Sequence, residues 1–234
     1  MNQNEHFSNH HIDAIQVNPE NNYFTPVLKE LFRTIKTPIS VCDIGCGNGL
    51  FSIAIKDKYK CNLIGVDGSA YALELAQQNG IDEIHKINDF CSDTMPFANN
   101  SFDLVICKDV LEHLIKPEFL VAEIQRITAS NGYALIHVPN HFPINGRLKL
   151  LFRNDIDPFK FFPDANRWDF PHIRFFTKKS LLKLLKIHGF ELHSDLSHHY
   201  VIYAKLLSYL PSSFLNKYAD LLSVGFTFIL KKIP

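Results

Sequence analysis

The residues suited to chemistry gather at a few points along the chain. Asp43-Ile44-Gly45-Cys46-Gly47-Asn48-Gly49 sets a carboxylate beside three glycines at alternate positions. Glycine lets a backbone turn tightly and bring its amides close to a ligand, and a helix that starts there adds free N–H groups. Asp67-Gly68 follows the apolar run Leu63-Ile-Gly-Val, where a carboxylate can accept hydrogen bonds from both hydroxyls of a ribose. Asp89-Phe90 can pair an adenine amino group with a carboxylate and cover the ring face. Asp109, Glu112 and His113 form D-x-x-E-H, with the two carboxylates three residues apart on one helix face. His141 and His172 stand on either side of an aromatic-rich stretch, each able to serve as a base toward an acceptor.

The glycine turn separates two cofactor classes. A dinucleotide fingerprint needs G-x-G-x-x-G/A, and here Leu50 occupies the last position. Asp43 would also repel a pyrophosphate. S-adenosylmethionine carries a sulfonium and an ammonium against one carboxylate, so it suits an acidic strand end. The charges favour the methyl donor over a nicotinamide.

These residues need elements to hold them. Thr25-Pro26 caps a helix expected near 25–36. Strands are expected at 39–44, 62–66, 84–87, 102–107 and 133–138, alternating with helices at 49–59, 70–78 and 109–128, the last broken at Pro117. The C-terminal part offers a helix from Thr177 closed by Gly189, a strand at 190–196, a helical stripe over 205–222 and a last strand at 224–230. That alternation implies an α/β three-layer sandwich around a parallel sheet, with ligands outside the carboxyl ends of the strands. Residues 139–176 break the rhythm with five prolines and nine Phe or Trp side chains. Such a long connection marks a lid or binding insert.

The chain has 234 residues, 24 basic against 24 acidic, and 20 Phe. One α/β-sized domain over 1–234 is expected, with an arm or lid at 1–24, a cap insert at 139–176 and a helical insert at 200–222. Balanced charge speaks against a broad nucleic-acid surface. The five cysteines lie singly, with no C-x-x-C, as reduced thiols of a cytoplasmic protein do. The polar, His-rich start is no signal peptide, and no apolar run is long enough to span a membrane.

VCDIGCGNG, NLIGVDGS, NDF and MPFANNSFDLVICKDVLEHL resemble, in order, the motifs of class I S-adenosylmethionine-dependent methyltransferases, and the likeness continues in HIRFFTKKSLLKLLKIHGFEL. The resemblance implies a Rossmann-like sheet of seven strands, mostly parallel, with the last antiparallel, and S-adenosyl-L-homocysteine as product. It places Asp43, Gly45, Gly47 and Gly49 at the methionine part, Asp67 at the ribose, and Asp89 with Phe90 at the adenine. Lys108 falls near the methionine end, and Cys46 and Gly68 complete the cofactor set. The step from Asp89 to Met95 is slightly longer than the family pattern.

The acceptor is expected to be a small molecule methylated at oxygen, either a sugar or glycan precursor or a lipid- or quinone-like compound. His113, His141 and His172 are the candidate bases, and Asp109, Trp168 and Arg174 the candidate acceptor contacts. Asp109, Glu112 and His113 also resemble a segment of ubiquinone-biosynthesis O-methyltransferases that can hold a divalent cation. Their other reading is helix-start electrostatics with a packed histidine. The aromatic insert is either an acceptor pocket or a satellite core. The 205–222 stripe serves core packing, dimer packing or peripheral membrane contact, and the protein is expected to be a monomer or a homodimer.

Overall fold

Short apolar runs such as Val41-Cys42 and Leu104-Val105-Ile106-Cys107 are wholly buried, because helices cover both faces of the sheet they form. The computed structural model describes residues 25–36, 40–153, 172–202, 207 and 209–233. The expected arm at 1–24 and Trp168 lie outside them, as do residues 154–171 of the expected insert.

The strands are β1 (Ser40–Ile44), β2 (Asn62–Asp67), β3 (Glu83–Lys86), β4 (Phe102–Lys108), β5 (Thr128–Pro139), β6 (Phe190–Asp195) and β7 (Gly225–Lys232). Their order in the sheet is β3-β2-β1-β4-β5-β7-β6. β1 pairs in parallel with β2 and with β4, and β7 runs antiparallel to both β5 and β6. The seven-stranded, mostly parallel sheet with a reversed last strand is thus present. Strand order reverses between β1 and β4, which opens a crevice at their carboxyl ends.

The helices are α1 (Thr25–Thr34), α2 (Leu50–Tyr59), α3 (Ala70–Gln78), α4 (Pro117–Ile127), α5 (Ile144–Arg153), α6 (Lys178–Ile187), α7 (Ser212–Lys217) and α8 (Ala219–Leu222). Alternate residues of each strand feed opposite cores. Val41, Leu63, Leu104 and Ile106 join Leu31, Ile55 and Ala76 on the α1–α2–α3 side. Cys42, Val66, Val105 and Cys107 join Leu120, Ile124, Leu181 and Leu185 under α4 and α6. Local caps agree with this plan. Ser69 accepts the Ala72 N–H at 3.2 Å, Pro117 opens α4, and Thr177 with Ser180 forms a capping box on α6.

Three expectations shift. The helix expected over 109–128 is a 3-10 turn at Leu111–His113 followed by α4. Asp109 is held at φ 56 with its N–H on the His137 carbonyl, so the chain leaves β4 by a turn instead of a helix. β5 begins five residues early, at Thr128, and carries a register irregularity between Thr128, paired with Phe102, and Tyr133, paired with Leu104. In place of one stripe over 205–222, the described residues show α7 and α8, interrupted at Tyr218.

Candidate active site

The turn after β1 is built from main chain. Gly45, Gly47 and Gly49 sit at φ 69, 55 and 77, the left-handed region that side chains resist. The Gly45 and Cys46 amides both donate to the Val66 carbonyl, at 2.7 and 3.1 Å, and so tie the turn to β2. A Cβ on Gly45 would collide with Val110, and one on Gly49 would stand 2.7 Å from Ile81. A Cβ on Gly47 would meet nothing within 4 Å, so the turn leaves open space above this residue alone of the three. The Gly47 N–H donates to Asp67 Oδ2 and the Ser69 N–H to Asp67 Oδ1, each at 2.9 Å. Each oxygen keeps lone-pair capacity for a ligand hydroxyl.

Asp43, the residue before the last of β1, is 4% exposed. Burial pushes its carboxyl up to about 7, against a hydrogen bond from Ser52 and the Lys108 cation, which pull it down, while Asp67 adds a push upward. Burial also raises Asp67, and hydrogen bonds from Ser69, Gly47 and Gly68 counter it. Two acidic groups at adjoining strand ends therefore favour a cationic ligand. Asp89 is exposed, and its oxygens accept from Cys91 N (2.8 Å) and Ser92 Oγ (2.9 Å), bonds that hold its carboxyl below the usual range. Phe90 is half-buried against the core beside it. Gly68 joins β2 to the start of α3.

The carboxyl ends of β4 and β5 carry a second polar group. Lys108 is the last residue of β4 and its ammonium pairs with Asp109. Asp109 Oδ1 also lies 3.4 Å from His137 Nε2. Desolvation would raise Asp109, but His137, Lys108 and His113 outweigh it and leave the carboxyl below its ordinary value. Glu112 is 1% exposed, and burial, with Asp109 nearby, raises it. His113 and His172 pack edge-to-face with ring centres 4.7 Å apart, and His141 Nε2 is 2.6 Å from His172 Nδ1. Burial pushes His141 down to about 3 and His172 to about 4, so both are neutral at pH 7.

All three expected histidines thus meet, although more than fifty residues separate His113 from His172. The link is main-chain. Ile173 N and Arg174 N both donate to the Glu112 carbonyl at 2.9 Å. Arg174 then reaches Leu114 O at 3.2 Å and Ile115 O, so its guanidinium binds the chain just past the 3-10 turn.

A model of the methyltransferase domain family matches residues 18–195. The chain belongs to the class I S-adenosylmethionine-dependent methyltransferases. Among curated methyltransferase relatives, a ubiquinone biosynthesis O-methyltransferase of Coxiella burnetii is 29% identical over 39% of this chain and 40% of its own. An uncharacterized methyltransferase of Schizosaccharomyces pombe is 31% identical over 44% of this chain and 41% of its own. An uncharacterized protein of Methanocaldococcus jannaschii is 26% identical over 64% of this chain and 63% of its own. The chain therefore spans between 40% and 63% of these relatives. Solved structures with the same fold include a Pyrococcus horikoshii protein (TM-score 0.64, 16% identity, 94% of this chain and 93% of that one). A methyltransferase of Mesorhizobium loti is another (TM-score 0.61, 14% identity, 91% and 99%).

Within this methyltransferase frame two residues escaped sequence reasoning. His137, in register with Lys108 on β4 and Thr227 on β7, is buried against Tyr200 and bonds Thr227 Oγ1 through Nδ1 at 2.6 Å. Burial drives it down to about 4, despite Asp109. Its signal was a histidine near the carboxyl end of an expected strand. Asn140 is 2% exposed, and its Nδ2 donates to the carbonyls of Ser223 (2.7 Å) and Asp220 (3.2 Å), which joins the end of β5 to the α8–β7 connection. No helix among the described residues is long and apolar enough to cross a membrane.

Proposed function

We propose that the protein transfers the methyl group of S-adenosylmethionine to an oxygen of a small-molecule acceptor, drawn from sugar or glycan precursors or lipid- and quinone-like compounds. The observation that carries the reading is the pairing of two different polar ends in one crevice. An acidic, glycine-lined end at β1 and β2 suits the cationic donor, and a cluster of neutral imidazoles at β4 and β5 suits a hydroxyl. The Coxiella burnetii relative, named for O-methylation in ubiquinone biosynthesis, supports oxygen as the accepting atom.

In this reading Asp67 holds the ribose hydroxyls, the open face over Gly47 admits the methionine part, and Asp43 faces its cationic groups. The acceptor oxygen attacks the methyl carbon in line. The carbon–sulfur bond breaks with its electron pair on sulfur, which gives S-adenosylhomocysteine. The hydroxyl proton leaves toward the imidazole cluster. Positioning supplies much of the rate in such a displacement, and proton removal matters for a poorly ionised hydroxyl. Titration calorimetry with S-adenosylhomocysteine and with NADH tests the donor. Binding of the former alone is expected, and NADH binding without S-adenosylhomocysteine binding would refute the reading.

A further inference from the structure

Donor binding and proton removal use neither His137 nor Asp109. His137 stands in one rank across three strands, in register with Lys108 on β4 and Thr227 on β7. Its ring is buried, and an imidazole there carries a desolvation cost that an apolar side chain would avoid. Its surroundings form a socket. Thr227 Oγ1 meets Nδ1 at 2.6 Å, and the Tyr200 ring packs with its centre 4.7 Å away. A Cβ on Gly225 would stand 2.5 Å from His137 Cε1 and 3.0 Å from Nε2. Glycine inside a strand marks such close approaches, and here it leaves the volume that the ring fills.

The socket aims Nε2 at Asp109. Asp109 Oδ1 is 3.4 Å from that nitrogen, and the Asp109 N–H donates to the His137 carbonyl at 3.1 Å. One residue thus holds Asp109 by main chain and side chain together. The Asp109 backbone sits at φ 56, a region that a non-glycine residue keeps only where its surroundings impose it. Its side chain is 42% exposed just past the end of β4, close enough to the imidazole cluster for its charge to act on His172.

The hydrogens can be placed from this geometry. The Asp109 carboxylate, paired with Lys108, only accepts, and a neutral imidazole has a single N–H. That hydrogen belongs on Nε2, so the Thr227 hydroxyl donates to Nδ1. Hydrogen bonds of this kind are often long before a substrate binds. Lys108 and His137 also stabilise the charge on Asp109, which suits it to binding a hydroxyl more than to removing a proton.

We propose that His137 is a positioning residue for the acceptor. Donation from Thr227 to His137, and from His137 to Asp109, holds the Asp109 carboxylate at the crevice, where it accepts a hydrogen bond from a hydroxyl beside the one that is methylated. This inference rests on the reading of the β4–β5 end as the acceptor end. It leaves His113, His141 and His172 to receive the proton and gives recognition to a carboxylate outside that cluster, supported from behind by a buried side chain.

Nitrogen-15 NMR of the histidine rings at pH 7 and label transfer together test it. The ring signals that H137F abolishes should show a hydrogen on Nε2 and none on Nδ1, and D109N should shift the Nε2 signal. In label transfer from the donor, H137F should need about tenfold more of an acceptor-containing fraction for half the maximal rate, with the maximal rate little changed. H137Q, whose amide still donates, should recover most of that loss, and G225A, which only crowds the ring, should reproduce part of it. Added to D109N, H137F should cost nothing further. A ring hydrogen on Nδ1, or losses from H137F and D109N that add in full, would overturn the proposal. The NMR measurement needs neither donor nor acceptor, so it holds or fails apart from the transfer reading, which label transfer by the wild type tests alone.

Discussion

The end proposed to hold the donor is made by the main chain of two adjoining βα turns, whereas the end proposed to hold the acceptor is made by side chains from three separated segments. Gly45, Gly47 and Gly49 take their shape from local φ values and two bonds to Val66 O. His113, His141 and His172 take theirs from long-range contacts, above all the Glu112 carbonyl that captures Ile173 and Arg174. A site part built locally should fail when its backbone is disturbed. A part built from remote side chains should fail one group at a time.

The largest effect is expected at Gly45. Gly45→Val forces a side chain onto Val110 at φ 69, and such strain should cost about 2 kcal/mol or more. Chemical denaturation should show the loss, and S-adenosylhomocysteine binding should disappear. Equal stability in mutant and wild type would break the main-chain account of the donor end.

Next comes His172→Ala, which removes one imidazole without touching the glycine turn. Methyl transfer at saturating donor should fall by roughly a hundredfold, the size of a lost proton-transfer group. Radiolabel transfer from the donor into acceptor-containing fractions measures it. Unaltered turnover would remove the histidine cluster from the reaction.

Asp67→Ala should weaken donor binding by about tenfold to a hundredfold, as loss of charge-assisted hydrogen bonds does. Because Gly47 N and Ser69 N also lose their acceptor, some stability should be lost as well.

A pH dependence completes the set. Asp43 is raised from 3.8 to about 7 by burial, so between those values the folded state holds a proton that the unfolded state has released. Its contribution to stability is present below pH 4 and is lost as pH rises toward 7. Asp43→Asn removes that loss, so the stability of D43N relative to wild type should climb across this window. A difference that stays flat with pH would show that Asp43 is not raised.

Much of the donor end was legible in the sequence because it is local. The spacing of three glycines, and Asp43 and Asp67 at the ends of apolar runs, need no distant partner to be recognised. The strand and helix order was legible for the same reason, since periodicity is a local signal. Asp109 shows where that stops. Its left-handed backbone depends on the His137 carbonyl, and this converts an expected helix into a turn. Arg174 was expected to face the acceptor, and no spacing in the sequence pointed to the bonds its guanidinium makes to Leu114 O and Ile115 O. His137 was missed because its importance arises from β4 and β7 on either side, contacts that no spacing encodes.

The separateness of the two ends is tested most directly by titrating S-adenosylhomocysteine into wild type, D67A and H172A under identical conditions. The expected result is matched affinity for wild type and H172A, with D67A weaker by about tenfold or more. H172A weakened as much as D67A, or a wild type that does not bind, would contradict the account.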